Sequence, residues 1–346
     1  MNPCNYFSNL SQIHIIAEIG VNHNGDIDLA YKMIDAAKES GADAVKFQTF
    51  TADALVSKGT PKVNYQNRTT VPEESHYEMI RKLELKREDH APLKAYCDKI
   101  GLTFISTPYD IESARFLHEE LNVDMLKTAS ADIVDWPLQR YIASTGKPAI
   151  VSVGMATLGE IEDVADIYRL ENNQDIVLLH CVSNYPCADE SLNLTVMNTL
   201  RQAFQVPVGY SDHSVGSDAA TLSVALGSTV IEKHFTLDKN LPGPDHRASS
   251  TPEEFAALVT AIRRAEKMLG NPIKRCQAEE RQMAQVSRKS IVLSEALNAG
   301  DIIEPRHLTL KRPGTGMFSS EIDKILGRKV IQSLEKGYQI SMSDFR

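Results

Sequence analysis

Residues 14–47 read HIIAEIGVNHNGDIDLAYKMIDAAKESGADAVKF and contain the alternation that decides the fold. His14–Ile19 and Ala44–Phe47 are short runs rich in Ile, Val and Ala, which is typical of strands buried on both faces of a parallel sheet. Leu29–Ser40 between them is amphipathic. The segment therefore predicts one strand–helix–strand unit.

The same alternation continues along the first three-quarters of the chain. Further helices are predicted at Glu88–Ile100, Glu112–Glu119 and Asp218–Leu226, and a long one at Glu253–Leu269. Eight strands separated mostly by helices predict a (β/α)8 TIM barrel of the α/β class; a doubly wound open sheet is the alternative. The barrel is favoured because polar side chains recur at the strands' C-terminal ends. The other six predicted strands are Thr103–Ser106, Met125–Lys127, Ala149–Val153, Ile176–His180, Val208–Tyr210 and Val230–His234.

The chain is predicted to form two domains. Residues 1–270 form the barrel, and residues 287–346 form a small second domain. A Gly-Asn-Pro turn and a charged stretch interrupt the alternation, so residues 271–286 are interpreted as a linker. In the tail, the β-prone runs Ser290–Leu293 and Arg328–Ile331 predict a compact β-rich fold. Roughly 60 residues make a marginal core, so we expect the tail to lean on another part of the protein.

The composition of the 346-residue chain is that of an ordinary globular protein, with 42% hydrophobic and 24% charged residues. A formal net charge of −9 argues against a duplex nucleic-acid binder, which needs basic residues on one face. Without a signal peptide pattern or the ~20 apolar residues that span a bilayer, a cytoplasmic protein with no membrane partner is expected. Reduced thiols are expected because no CxxC pair occurs among Cys4, Cys97, Cys181, Cys187 and Cys276.

Two lysines end apolar strands, where an unpaired ammonium group would be costly. They are Lys46 and Lys127, in the strings AVKFQT and LKTAS. A bound phosphate or carboxylate would relieve this cost, with the hydroxyls of Thr107 and Ser130 as further donors. One alternative is a Schiff-base lysine, because burial lowers the pKa of an amine. The other is an internal salt bridge, for which the candidate carboxylates are Glu18 and Asp132.

Two histidines follow adjacent strands and are predicted to face the same barrel mouth. His213 and His234 lie 21 residues apart, which is one βα unit. Two imidazoles leave open positions on a divalent transition metal, although a single barrel histidine is more often a satisfied core residue. The string PGPDH at 242–246 predicts a rigid loop that either aims Asp245 into the mouth or is an ordinary turn. The string NHNG at 22–25 is interpreted as a turn before a helix, with no catalytic role.

The motifs, taken in order, resemble those of the sialic acid synthase family, which includes the legionaminic acid synthases. The resemblance spans nearly the whole chain. It is carried by AEIGVNHNG at 17–25, KFQT at 46–49, FISTP at 104–108, HC at 180–181, NYP at 184–186, SDH at 211–213, EKHFT at 232–236, GPDH at 243–246 and KRPG at 311–314.

The resemblance implies a TIM barrel followed by a C-terminal antifreeze-like (SAF) domain, in a domain-swapped homodimer whose tail closes the partner's barrel mouth. It implies an enzyme that condenses phosphoenolpyruvate with N-acetylmannosamine, or a related N-acyl hexose, and water to give a nine-carbon sialic acid and phosphate. The implied cofactor is a divalent metal, Mn²⁺ before Mg²⁺ or Co²⁺.

The resemblance also implies a role for individual residues. The metal ligands are His213 and His234. The phosphoenolpyruvate site consists of Lys46, Lys127, Thr107, Ser130 and Ser183. The sugar side consists of Gln48, Tyr185, Asp245 and Arg312 of the partner subunit, and the carboxylates nearest the reacting centre are Glu18 and Asp132.

Two positions depart from the usual family pattern. Asp132 stands where a Ser-Gly-Glu string has glutamate, and Val153 stands where threonine is frequent. Either change could accompany a modified sugar, so the alternative activity is an N,N'-diacetyllegionaminate synthase that uses 2,4-diacetamido-2,4,6-trideoxymannose. A metal-independent Schiff-base aldolase is the mechanistic rival. A carbohydrate- or ice-binding module is the non-enzyme alternative, which the charges of Lys311 and Arg312 disfavour.

Overall fold

The computed structural model describes residues 5–62, 70 and 74–346. The chain divides into two compact units, Met1–Gly270 and Asn271–Arg346. The described cysteines are all free thiols, as Cys97, Cys181, Cys187 and Cys276 show. Cys4, the remaining predicted thiol, lies outside the described residues.

The first unit is built on an eight-stranded parallel sheet with the order β3-β2-β1-β8-β7-β6-β5-β4. Strand β1 pairs with β8 as well as with β2, and β3 lies beside β4. This circular order is that of a closed barrel and excludes the doubly wound sheet. The predicted (β/α)8 barrel is therefore confirmed. The strands are β1 His14–Gly20, β2 Ala44–Thr49, β3 Thr103–Pro108, β4 Leu126–Thr128, β5 Ala149–Ser152, β6 Ile176–His180, β7 Val208–Asp212 and β8 Val230–His234.

Helices follow the strands and cover the outside of the sheet. Helix α11, Pro252–Leu269, is the last helix of this unit; it begins at a capping box formed by Thr251 and Glu254 and is followed by Gly270, which has a positive φ of 53°. None of the helices in the described residues combines the length and hydropathy needed to cross a bilayer. The helices of this unit are α1 Ile27–Glu39, α2 Ala52–Leu55, α3 His76–Lys82, α4 Arg87–Ile100, α5 Ile111–Arg115, α6 Trp136–Ser144, α7 Leu158–Leu170, α8 Asp189–Leu192, α9 Val196–Phe204, α10 Asp218–Ala225 and α11 Pro252–Leu269.

The barrel interior is apolar at its lower, N-terminal end and polar at its upper, C-terminal end. Because side chains alternate along a strand, Ile16 and Glu18 of β1 share the inner face, as do Ala44 and Lys46 of β2. Most strands thus contribute an apolar residue to the lower layer and a polar one to the layer above it. The lower layer consists of Ile16, Ala44, Ile105, Met125, Ile150, Val177, Leu179 and Val230, with Phe7 packed against them.

The N-terminal segment forms the floor of the barrel, which the sequence analysis did not predict. Phe7, in the 3-10 turn Tyr6–Ser8, is 1% exposed and packs in the interior cluster. The side-chain amide of Asn5 donates to the carbonyl oxygens of Gln174 at 2.7 Å and Ile176 at 3.1 Å. These hydrogen bonds anchor the segment at the start of β6.

The second unit has a separate core. Strand β9 Ser290–Leu293 pairs antiparallel with β10 Leu308–Lys311, whereas the predicted run Arg328–Ile331 contributes only isolated bridges. The small β-rich domain is confirmed. Helix α12 Arg281–Ser287 falls within and just after the stretch interpreted as a linker, and the linker remains a prediction. The core is formed by Ile291, Leu293, Leu297, Ile303, Met317, Ile325, Val330, Leu334, Ile340 and Phe345.

The first prediction concerns the barrel floor. Phe7→Ala should lower the free energy of unfolding by about 3 kcal/mol, because it removes a buried ring and leaves a cavity. Leu170→Ala is the control, since Leu170 is 75% exposed on α7 and its truncation should change stability by less than about 0.5 kcal/mol. Urea unfolding measures both, and equal midpoints for the two variants would contradict the role given to Phe7.

Candidate active site

The upper end of the barrel opens into a cavity of about 950 Å³. Two predicted site residues are not on its wall: Asp132 lies in the 3-10 turn Ser130–Val134 after β4, and Arg312 belongs to the second unit. The structure brings the other predicted residues together around the cavity. They are Glu18, Lys46, Gln48, Thr107, Lys127, Ser130, Ser183, Tyr185, His213, His234 and Asp245.

Lys46 lies between two buried carboxylates. Its Nζ is 2.8 Å from Oε2 of Glu18 and 3.8 Å from Oε2 of Glu232, and it donates to Oγ1 of Thr107 at 3.0 Å. The predicted internal salt bridge of Lys46 with Glu18 is therefore present. Because two carboxylates face one ammonium group, the cluster carries excess negative charge, which favours the binding of one proton.

That proton belongs to Glu18. Burial raises the pKa of Glu18 to about 7 and outweighs the attraction of the Lys46 ammonium group. Burial also acts to raise the pKa of Glu232, but Lys127 and Lys46 outweigh it and hold this pKa at about 2. Burial opposes the charge of Lys46, yet the two carboxylates raise its pKa. At neutral pH Glu232 and Lys46 are charged, and Glu18 can gain or lose its proton.

Lys127 contacts only neutral oxygens in the described part of the protein. Its Nζ donates to the carbonyl oxygen of Thr128 at 2.8 Å and to Oγ of Ser152 at 2.6 Å. The alternative of a Lys127–Asp132 salt bridge is not realised. Burial lowers the pKa of Lys127. A buried ammonium group without a carboxylate in contact is suited to an anionic ligand, which would supply the missing charge.

Three polar side chains converge at Gly154, just after β5. A Cβ atom placed on Gly154 would lie 2.6 Å from Oγ of Ser183, 2.8 Å from Sγ of Cys181 and 2.9 Å from Oγ of Ser130. The backbone N–H of Gly154 donates to Oγ of Ser130 at 3.0 Å. Only glycine leaves room for these groups, so the predicted hydroxyls of Ser130 and Ser183 line one small recess of the cavity.

The two histidines lie side by side, as predicted: His213 directly follows β7 and His234 ends the adjacent strand β8. Their ring centroids are 5.6 Å apart, and the ring of Tyr185 packs 4.2 Å from that of His213 and 5.4 Å from that of His234. Nδ1 of His213 donates to the carbonyl oxygen of Val182 at 2.7 Å, which leaves Nε2 as an acceptor. Burial lowers the pKa of both imidazoles, so both are neutral.

The pair of imidazoles fits a divalent cation. Neutral imidazole is the form that binds a metal, and Nδ1 of His234 is buried with no hydrogen-bond partner among the described residues. Within the described ranges, no group of three or more His, Cys, Asp or Glu side chains is arranged to hold a metal ion. Oxygen atoms of water or substrate would have to complete the coordination of an ion held by His213 and His234.

Asp245 and Asp132 differ in their access to the cavity. Asp245 lines the wall, burial raises its pKa to about 6, and no hydrogen bond from the described residues reaches its carboxylate oxygens. Asp132 is set back from the wall, and Oδ2 is buried without a partner in the described chain. Burial, reinforced by repulsion from Asp135, raises the pKa of Asp132 to about 7. Gln48 donates from Nε2 to Oε1 of Glu18 at 3.2 Å.

Glu232 is the charged site residue to which the sequence analysis gave no role. It lines the cavity, contacts the Lys46 cluster and accepts a hydrogen bond from Oγ of Ser211 at 3.0 Å. The sequence could have indicated this role, because Glu232 lies two residues before His234 on β8. Side chains two residues apart on a strand point to the same face, here the inner face of the barrel. Tyr109, which directly follows β3, also lines the cavity and was missed, although its place at a strand end was a signal of the same kind.

Residues 33–274 match the NeuB family, and residues 288–346 match the SAF domain. The N,N'-diacetyllegionaminic acid synthase of Legionella pneumophila is 46% identical over 327 residues, which cover 93% of this chain and 92% of that protein. The N,N'-diacetyllegionaminic acid synthase of Campylobacter jejuni is 43% identical over 316 residues, covering 91% and 94%.

A solved structure is similar as well. The N-acetylneuraminic acid synthetase of Leptospira borgpetersenii, in complex with citrate, superimposes with a TM-score of 0.69 at 36% identity, covering 79% of this chain and 90% of that chain. The resemblance inferred from the motifs is thereby confirmed. With a family match over most of the barrel and a second match over the tail, the chain belongs to the NeuB family and carries a C-terminal SAF domain.

Proposed function

We propose that this protein condenses phosphoenolpyruvate with an N-acylated hexose and water to give a nine-carbon sugar acid and phosphate. The observation that carries the proposal is the buried Lys127 amine, which contacts no carboxylate among the described residues and faces a cavity with paired imidazoles on its wall. The two legionaminic acid synthases that are 46% and 43% identical support 2,4-diacetamido-2,4,6-trideoxymannose as the sugar. The similarity to the Leptospira synthetase supports N-acetylmannosamine as the second candidate.

The anionic substrate would bind on the lysine side of the cavity. Phosphoenolpyruvate carries a phosphate and a carboxylate, and two ammonium groups with nearby hydroxyls can bind both through charge-assisted hydrogen bonds. Glu232 stays ionised beside the lysines; its charge helps to raise the pKa of Lys46 and partly offsets the burial that lowers the pKa of Lys127. The proposed contacts are Lys46, Lys127, Thr107, Ser130 and Ser183.

His213 and His234 would hold the divalent ion, with Mn²⁺ preferred over Mg²⁺ or Co²⁺. When bound, the ion would supply Lewis acidity toward a sugar carbonyl oxygen. Tyr185 packs against both rings and restrains them. On the sugar side, Gln48 and Asp245 would offer an amide and a carboxylate to hydroxyl or N-acyl groups. Arg312 would come from the partner subunit of a domain-swapped dimer.

The proposed chemistry forms a bond between C3 of phosphoenolpyruvate and the aldehyde carbon of the open-chain sugar. Water adds at C2, and phosphate leaves with cleavage of its C–O bond. Glu18, whose pKa is about 7, can give a proton to the former aldehyde oxygen or take one from the attacking water. Asp132 is set back from the wall, so we assign it at most a supporting role in positioning that water.

The second prediction tests the activity itself. With phosphoenolpyruvate and Mn²⁺, the protein should release phosphate when 2,4-diacetamido-2,4,6-trideoxymannose is present. Release should be slower with N-acetylmannosamine and absent without sugar. Faster release with N-acetylmannosamine would move the protein to the sialic acid synthases, and no release with either sugar would refute the proposed reaction.

The third prediction separates metal-assisted condensation from a Schiff-base aldolase. EDTA should lower the rate about a hundredfold or more, because loss of a Lewis acid removes several kcal/mol of transition-state stabilisation. Added Mn²⁺ should restore the rate. Borohydride with pyruvate should leave the enzyme active and Lys127 unmodified; trapping of pyruvate on Lys127 with full activity in EDTA would establish the rival mechanism.

The fourth prediction tests the swapped arginine. Arg312→Ala should raise the KM of the sugar about tenfold or more, because a hydrogen bond from a charged group is lost. When Arg312→Ala and Lys46→Met chains are co-expressed with different tags, mixed dimers should contain one intact site each. If the chains pair at random, about half of the dimers are mixed and each mixed dimer has one intact site of two. Activity should therefore return to about a quarter of the wild-type value.

The control for this complementation uses two barrel variants. Lys46→Met co-expressed with Lys127→Met leaves every barrel defective, so no activity should return in a domain-swapped dimer. The complementation is measured at a sugar concentration below the wild-type KM, where Arg312→Ala alone is slow. A mixture of Arg312→Ala and Lys46→Met chains that is no more active than Arg312→Ala alone would contradict the exchange of tails.

A further inference from the structure

The turn Asn22–Gly25, which the sequence analysis left without a role, contacts the loop that carries Asp245. The turn follows β1 and the loop follows β8, so the two lie next to each other where the barrel closes. Asn22 and His246 are both 0% exposed. Two separate chains of hydrogen bonds join the turn to this loop: one runs through Ser249 to the backbone of Asp245, and the other reaches the next residue, His246.

The first chain starts at Asn22. Its Nδ2 donates to the carbonyl oxygen of Phe235 and to Oγ of Ser249, both at 2.9 Å. Oγ of Ser249 in turn donates to the backbone carbonyl oxygen of Asp245 at 2.7 Å. The Asn22 amide therefore orients the Ser249 hydroxyl, and this hydroxyl fixes the backbone from which the Asp245 carboxylate projects.

The second chain starts at Asn24. Its Nδ2 lies 3.3 Å from Nε2 of His246, which must accept because an amide N–H donates. Nδ1 of His246 then carries the ring proton and donates to Oγ1 of Thr236 at 2.7 Å. His246, the residue next to Asp245, is thereby hydrogen-bonded to Asn24 of the turn and to Thr236, which lies two residues after the end of β8.

The backbone of the turn makes this reach possible. Asn24 has φ 52° and Gly25 has φ 73°, both in the left-handed region that Asn and Gly tolerate best. A Cβ atom on Gly25 would lie 2.8 Å from the carbonyl oxygen of Lys82, so the chain approaches its neighbour too closely for a side chain. These φ angles and the close approach to Lys82 define where the Asn22 and Asn24 side chains can reach.

We propose that Asn22 and Asn24 act as a latch that holds the Asp245 carboxylate in its position on the cavity wall, and that they determine sugar binding through it. They are positioning residues, since neither lies on the cavity wall. The inference rests on the proposed function, in which Asp245 contacts the sugar. It would explain why the NHNG string has two asparagine side chains bonded to the Asp245 loop, which a turn before a helix does not need.

The test begins with Asn22→Ala and Asn24→Ala. Each should raise the KM of the sugar about tenfold, because a displaced carboxylate loses its hydrogen bonds to the substrate. The KM of phosphoenolpyruvate should stay within about twofold, since Lys46 and Lys127 do not contact the latch. Asn173→Ala is the matched control: Asn173 is a buried asparagine whose Nδ2 donates to the carbonyl oxygens of Ala143 at 3.2 Å and Lys147 at 2.9 Å, away from the cavity.

A double-mutant cycle shows whether Asn22 acts through Asp245. If it does, the Asn22→Ala, Asp245→Ala variant should have the same sugar KM as Asp245→Ala alone. Independent effects would multiply, and this result would overturn the inference. A merely structural role would lower the thermal stability of the Asn22 and Asn173 variants alike without separating the two KM values.

Hydrogen–deuterium exchange of residues 242–250 gives a readout that needs no substrate. Exchange should be faster in Asn22→Ala than in the wild type and unchanged in Asn173→Ala. Unchanged exchange in both Asn22→Ala and Asn24→Ala overturns the latch whatever the kinetics give. If the wild type releases no phosphate with either sugar, the proposed function fails, and faster exchange in the latch variants still supports the positioning of the loop.

Discussion

The site depends on one buried ammonium group, Nζ of Lys46, held between the carboxylates of Glu18 and Glu232. Burial of an isolated charge costs several kcal/mol, so none of these groups could occupy the barrel interior alone. Their three strands, β2, β1 and β8, are neighbours only once the barrel has closed. Closure therefore creates the electrostatic environment of the site, including the pKa of about 7 at Glu18.

The same closure explains how a charged cavity can lie directly above an apolar core. Along each strand every second side chain points inward, so a step of two residues moves from the lower layer to the upper one. Ile16 precedes Glu18, Ala44 precedes Lys46 and Val230 precedes Glu232 in this way. The apolar layer supports the polar one and excludes water from beneath it, which strengthens the interactions of the charged groups.

This regularity is why the barrel and most of its mouth could be predicted from the sequence. Apolar runs ended by Lys, His and Ser locate the upper ends of strands without knowledge of any long-range contact. Glu232 and Phe7 were missed because their roles depend on which distant residues they meet: Glu232 meets Lys46 across β1, and Phe7 packs beneath strands far along the chain. Asp132 was placed near the reacting centre, but the 3-10 turn after β4 sets it back from the wall.

The cavity has two opposite sides, and one of them is the seam where β1 pairs with β8. Lys127 and the hydroxyls around Gly154 lie on β4 to β6, on the far side of the barrel from the turn at Asn22. Lys127 and these hydroxyls therefore rest on hydrogen bonds different from those of the NHNG turn, although both border one cavity, whereas Lys46 lies at the seam beside Glu18 and Glu232. If Asp245 contacts the sugar as proposed, substitutions in the NHNG turn can change sugar binding and leave the contacts of Lys127 unchanged. The NHNG string alone predicts a turn, but its role depends on contacts that the string does not contain. The side chains of Asn22 and Asn24 form hydrogen bonds with residues more than two hundred positions away.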